Sequence, residues 1–304
     1  MPDTQNYVRP DNNTGPLQYL ERYLSGMRWI RDHRVDEKLA FVLQEGDLTN
    51  YNLQSEYDSF DVGLRYIEGS VPFFFAIGNH DLGLNGNTQD RSTLADVNLP
   101  VSRFMGLPTF GGVYEAGTMA NSWHQVDVGP DHYLLIMMEF APRDEVLTWV
   151  GQVADQHPDR TVILTTHDYL YDDDTRVGTP DRMYYYAQCT YGLALAPNVT
   201  CNNGEDIWQK MVRHHRNIRF VFNGHQLGDG LGKLISVNDA GLPVFQLLVN
   251  YQLPGDGSLR LMRFYDDGRV KVRAYSPYFD VFRLSDQDQF DIDLVNAVFE
   301  PASP

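Results

Sequence analysis

The sequence predicts an α/β fold in which two sheets pack face to face with helices outside, and three observations carry that prediction. Short apolar runs end one after another in acidic, amide or imidazole residues, usually behind a glycine. Segments with apolar residues three and four positions apart lie between those runs. The C-terminal third adds further strand-like runs around turn residues. A short apolar run bounded by a turn signal reads as a buried strand, and spacings of three and four read as one face of a helix. Open α/β sheets bind ligands beyond the carboxyl ends of their strands, so polar groups gathered there mark a site.

Taken in order, Leu17, Leu20, Leu24, Met27 and Ile30 make residues 16–34 a helix. The run 39–43 is a strand leading through Gln44 and Glu45 into Gly46-Asp47, and 51–68 is a second helix. The run 71–77 is a strand ending in Gly78-Asn79-His80-Asp81. Residues 83–112 form a long loop able to wall a site. Strands 123–128 and 132–138 pair across Gly129-Pro130-Asp131, which places His124 and His132 on the strand surface. A helix over 143–157 precedes the strand 161–166, which ends in His167-Asp168. Residues 168–203 are irregular and rich in tyrosine, with Asp172-Asp173-Asp174 among them. Starting beside His167, they form the natural specificity loop. A helix over 205–215 leads to the strand 218–222 and Asn223-Gly224-His225. Three strands over 244–275, with a turn at Asp266-Asp267-Gly268, complete the second sheet. No linker-like stretch interrupts residues 1–304, which read as one domain.

The strand ends supply a coherent donor set. Asp3, Gln5, Asp47, Asn79, His167 and His225 offer the oxygen and nitrogen mixture that Mn, Fe or Zn accepts. His80 is left over for proton transfer, with Asp81 to orient it. In chain order this set resembles the signature of the calcineurin-like metallophosphoesterases: Asp-x-His, Gly-Asp, Gly-Asn-His-Asp/Glu, His, and Gly-His-x-His. The opening Asp3-Thr4-Gln5 and the tract Gln246 to Gln252 are similar to a bacterial branch that has Asp-Thr-Gln in the first motif. The resemblance spans residues 3 to about 278. It implies a four-layer α/β/β/α sandwich and a dinuclear centre of two divalent metal ions, at which metal-activated water hydrolyses phosphomonoesters or phosphodiesters. It also implies that His80 and Asp81 are the catalytic pair.

Two departures fall on one ion. The resemblance assigns the first metal to Asp3, the motif-one partner, Asp47 and the last residue of Gly-His-x-His, and here the second and fourth of these are Gln5 and Leu227. An amide oxygen is a weaker, harder donor than imidazole, and Leu227 offers nothing. Asp229 is either a replacement ligand or a solvated loop carboxylate. The second ion keeps Asp47, Asn79, His167 and His225. The family's first strand is expected before Asp3, where this sequence has only Met1-Pro2, so Asp3 and Gln5 are expected to be poorly held. The alternative to a hydrolase is therefore a weak or inert single-metal relative that binds a ligand or acts at a surface.

With 24 Lys and Arg against 41 Asp and Glu, the formal charge is −17, and no basic patch suits a nucleic-acid backbone. A small phosphoester held by metal charge is the compatible partner. No apolar run approaches a membrane span. The two cysteines, Cys189 and Cys201, are close enough for one loop disulfide, which together with the composition leans toward an extracellular or periplasmic protein; the alternative is two free thiols in a cytoplasmic one.

Overall fold

The computed structural model describes residues 1–10, 19–178, 193, 200–253 and 255–303. The chain begins with a short helix α1 (Gln5–Val8) and a long one, α2 (Tyr19–His33), followed by β1 (Val42–Gln44), α3 (Gln54–Ile67) and β2 (Phe73–Phe75). Within the stretch expected to be a long loop lie α4 (Ala95–Asn98), α5 (Val101–Phe104) and the start of β3 (Phe110–Val113). The hairpin of β4 (Ser122–Val128) and β5 (Asp131–Met137) leads to α6 (Asp144–Gln156) and β6 (Thr161–Thr165). Further along come α7 (Gly204–Lys210), β7 (Ile218–Asn223), β8 (Leu231–Val237) and β9 (Pro243–Val249). The C-terminal part is β10 (Leu259–Phe264), β11 (Arg269–Ser276), β12 (Val281–Arg283), β13 (Phe290–Asp293) and β14 (Val298–Pro301). Tyr184, Tyr185, Tyr186, Tyr191 and Cys189 lie outside the described residues; Cys201 is disulfide-bonded.

Strands β3 to β9 form one mixed sheet in the order β3-β4-β5-β6-β7-β9-β8. Strands β5, β6, β7 and β9 run parallel within it, so their carboxyl ends share one edge. Here the structure corrects the sequence reading: β9 was expected in the second sheet and instead pairs with β7. A second sheet is built from β10 to β14, and β1 and β2 form a parallel pair. Apolar alternation explains the layering. Phe73 and Phe75 join Tyr23, Met27, Phe60 and Leu64 of α2 and α3, while Phe74 points the opposite way into Leu135, Phe220 and Phe245 of the large sheet. Val270, Val272, Phe290 and Ile292 of the second sheet enter that same inter-sheet core. On the far face, Val146, Val150 and Val153 of α6 pack on Leu134, Val162 and Leu164. The result is a mixed α/β protein with a large mixed sheet flanked by helices. Each fully buried Val or Leu in these layers contributes roughly 1.5–3 kcal/mol. No helix among the described residues is long and apolar enough to cross a membrane.

His124 is the second correction. It is not on a strand surface but 1% exposed, with its ring 4.4 Å from that of Phe74 and 5.8 Å from that of Phe110. Alternation along β4 places Ser122, His124 and Val126 on the buried face. Burial lowers the His124 pKa to about 3. Folded His124 is thus neutral, whereas the unfolded imidazole takes a proton below about pH 6.5. Stability is therefore flat above pH 6.5 on this account and falls as the pH drops from 6.5 towards 3. Between pH 7 and pH 5 the chelated wild type is expected to lose about 2 kcal/mol more than His124→Gln. Urea titrations at the two pH values check this, and equal losses in both proteins would remove the assignment.

Candidate metal centre

Strands β1 and β2 of the small parallel pair and strands β6 and β7 of the large sheet each end in polar residues that meet at one place. Gly46 and Asp47 follow β1, and a single 3₁₀ turn over Asn79–Asp81 follows β2. His167 stands just beyond β6 and His225 just beyond β7. Asp47 and His225 both have positive φ, 51° and 67°. Such backbone is uncommon for residues other than glycine and tends to persist where surrounding contacts over-determine it, as at functional sites. Glycines make the close approach possible. A Cβ on Gly78 would lie 2.2 Å from Asp47 Oδ1, and one on Gly224 would lie 2.2 Å from Asp3 Oδ1.

The convergence is tight. His167 Nε2 is 3.1 Å from Asp47 Oδ1, 3.1 Å from Asn79 Oδ1 and 3.1 Å from His225 Nδ1. One ligand atom each from Asp47, His167 and His225 lies within 4.8 Å of the others. The ring's other nitrogen, His167 Nδ1, is 2.8 Å from the Glu45 carbonyl, which can only accept, so Nδ1 carries the proton. In neutral His167 the Nε2 lone pair therefore faces the oxygens of Asp47 and Asn79. Lone pairs aimed at one point repel unless a cation sits among them, and a backbone carbonyl fixing the tautomer is the usual support for a metal-binding imidazole. The donor set thus fits a divalent metal.

Titration tells the same story without the ion. Burial opposes charge on His167, yet the Asp47 and Asp3 carboxylates push it up to about 10, so a proton takes the place a cation would occupy. Burial likewise opposes ionisation of Asp47, but His167 and His80 beside it hold its pKa at about 2. Burial raises Asp3 to about 8 and lowers His225.

Asp3 and Gln5 are not poorly held. Both are buried, at 0% and 4% exposure. The Thr4 N–H donates to the Asp47 carbonyl at 3.0 Å, and Thr4 Oγ1 donates to that of Leu48 at 3.1 Å. Met1 runs beside β1, donating to Leu43 O at 2.6 Å and accepting from the Glu45 N–H at 3.2 Å. Asp3 accepts the His225 N–H, and so contacts the Asp47–His167–His225 cluster directly. Leu227 is 47% exposed and brings no donor. Asp229 accepts the Leu231 N–H at 2.9 Å, which makes it the exposed loop carboxylate of the two readings above.

His80 and Asp81 divide their tasks differently from the expectation. His80 Nδ1 lies 2.8 Å from the Asn50 carbonyl, which can only accept, so Nδ1 carries a proton and Nε2 is left for other partners. Asp81 does not orient that ring. Its carboxylate accepts four bonds, from the N–H groups of Leu48, Thr49 and Gly78 and from Thr49 Oγ1, at 2.8–3.0 Å. It staples the Asp47 loop to the Asn79 turn. Sequence reading also passed over Asn223, whose amide accepts from Leu170 N–H and donates to the carbonyls of Leu170 and Gly224. That bracket ties the His225 turn to the segment after His167. Its place at the end of a strand was the available signal.

Fold and site together describe a cation-binding centre at the carboxyl ends of the strands of an α/β protein. Residues 3–229 match the calcineurin-like phosphoesterases, and the chain belongs to that family. It is also similar to the uncharacterized protein YvnB of Bacillus subtilis (strain 168), with 24% identity over 315 aligned residues covering 97% of this chain. The chain spans about a fifth (21%) of the length of that relative. Membership implies metal-dependent hydrolysis of phosphoesters.

Proposed function

We propose that this chain hydrolyses small phosphomonoesters or phosphodiesters, with Asp47 shared between two divalent cations of Mn, Fe or Zn type. Asn79, His167 and His225 complete the stronger seat; Asp3 and Gln5 form the weaker one. The observation that carries the reading is the Nε2 atom of His167, 3.1 Å from each of three other candidate ligand atoms while its own proton-bearing nitrogen is spent on Glu45. Divalent ions held by these residues would supply charge to the phosphoryl oxygens and would lower the pKa of water enough for attack at neutral pH. The chain's own residues do the rest. Asp47 Oδ1 accepts the His80 N–H at 3.0 Å and places the imidazole beside the centre. Because Nδ1 is committed to Asn50, the proton that His80 gives to the departing oxygen is the one on Nε2.

His80→Ala is expected to keep its metal and to lose about 10²–10⁴ in turnover on an alkyl phosphate. The loss should be smaller on 4-nitrophenyl phosphate or its bis-ester, since nitrophenolate leaves with little help from an acid. Equal turnover of wild type and variant on both classes, under added manganese, would dismiss His80 as the acid. Exposed Leu227 favours a second reading, a single-ion relative that binds a ligand without turning it over. One metal equivalent by elemental analysis, with neither ester cleaved, selects that reading.

A further inference from the structure

Beyond the ligand set, the Asn250-Tyr251-Gln252 segment just past β9 is wired into the N-terminal donors. Gln5 Nε2 donates to Gln252 Oε1 at 2.5 Å, and Asn6 Nδ2 donates to the same oxygen at 3.1 Å. Gln252 is positioned in turn by its own N–H, which donates to Asn250 Oδ1 at 2.9 Å. Asn250 Nδ2 then donates to Asp3 Oδ2 at 3.0 Å. A chain of amides thus links Gln5 to Asp3 through residues almost 250 positions away. Its anchor is firm: Tyr251 is fully buried, its hydroxyl bonds Asp288 at 3.0 Å, and its carbonyl accepts the Tyr7 hydroxyl at 3.3 Å.

The consequence lies in what the amides leave over. With the Gln5 NH₂ committed to Gln252, its carbonyl Oε1 is buried and has no hydrogen-bond partner among the described residues. An orphan buried acceptor is costly unless something cationic or protic meets it. We infer that Asn250 and Gln252 are positioning residues for the weaker seat: Gln252 turns the Gln5 carbonyl to serve as a cation ligand, and Asn250 fixes the Asp3 carboxylate beside it. This deepens the dinuclear reading above and rests on it. Outer partners of metal ligands commonly change affinity 10- to 100-fold when removed.

The test measures metal binding rather than turnover. Chelated full-length protein is titrated with Mn²⁺ by calorimetry, and stoichiometry is checked by elemental analysis after gel filtration. Gln252→Met removes the acceptor at similar volume, and Asn250→Ala removes the donor to Asp3. Each is expected to retain one tightly bound ion and to weaken the other at least about tenfold. Gln252→Glu, which can still accept from Gln5 and Asn6, is expected to restore the second ion. Circular dichroism of the chelated variants separates this from misfolding, and the two single variants act on different bonds, so one failure to fold leaves the other informative. Wild-type affinity for both ions in the two variants overturns the inference while leaving the dinuclear reading intact. A wild type that binds only one ion overturns both.

Discussion

Asp47→Asn is expected to cost at least about a thousandfold in phosphoesterase turnover and to weaken both cation seats together. In the proposed centre this carboxylate is shared by both seats, and its Oδ1 meets His167 and the His80 N–H. Asparagine keeps the shape but removes the charge and one acceptor. Metal-ion stabilisation of a phosphoryl transition state is worth several kcal/mol, and each 1.36 kcal/mol is tenfold in rate. A second signature appears in the chelated protein. The Asp47 carboxylate is the strongest influence holding His167 up to about 10 against burial. In Asp47→Asn the His167 ring is therefore expected to lose its proton at a distinctly lower pH, followed by NMR of the imidazole. An Asp47→Asn protein with two bound ions and near-normal rates would mean that the centre lies elsewhere.

The largest expected loss of stability comes from a change of a single methyl group. Gly78→Ala puts a Cβ 2.2 Å from both the backbone nitrogen and Oδ1 of Asp47, and 2.9 Å from its Cα. Two of those three atoms are backbone, in a loop stapled by Asp81, and cannot step aside. Gly78 itself has φ −91° and ψ 176°, a conformation alanine adopts freely, so the penalty is purely one of space. Overpacking costs typically 1–3 kcal/mol and sometimes more, and about 3 kcal/mol is expected here together with loss of the stronger ion. Gly69→Ala is the control: its φ is +73° and nothing lies within 4 Å of the added Cβ. Its cost is conformational alone, about 1 kcal/mol. Chemical denaturation of the pair checks the difference. If Gly78→Ala were as stable as Gly69→Ala and still bound metal, the Asp47 loop would have to be far more yielding than its hydrogen bonds imply.

Much of the architecture was readable because strand ends at the site are punctuated in a regular way. The run 71–77 is apolar throughout, and 162–164 form the apolar centre of 161–166, because both faces of these strands are covered, and the polar residue after each run marks the turn into the site. What could not be read locally was sheet membership. The apolar run of β9 suits either sheet, and it pairs with β7 because Phe245 and Leu247 fit the inter-sheet core beside Phe220 and Phe222. Strand β8 escaped because it is an edge strand whose apolar residues Leu231, Leu234, Ile235 and Val237 are broken by Gly232, Lys233 and Ser236 and do not alternate with period two. His124 was misplaced by the same limit. Alternation says that one face of β4 is buried but not which, and a histidine counts as polar until Phe74 is seen lying over it.

At the site, residue types and order sufficed to nominate Asp3, Gln5, Asp47, Asn79, His80, His167 and His225, since a donor set chosen for cations has few other uses in that order. The sequence alone therefore determined which chemistry this chain is equipped for. Only the tertiary structure decided who supports whom: that Asn50 and not Asp81 faces the His80 ring, that Asp81 staples two loops, and that Asn250 and Gln252 reach the N-terminal donors. Those relations are hydrogen bonds between residues up to 247 positions apart. Nothing in the local sequence encodes them, because an amide or a carboxylate acquires its partner only when packing brings the chain segments together.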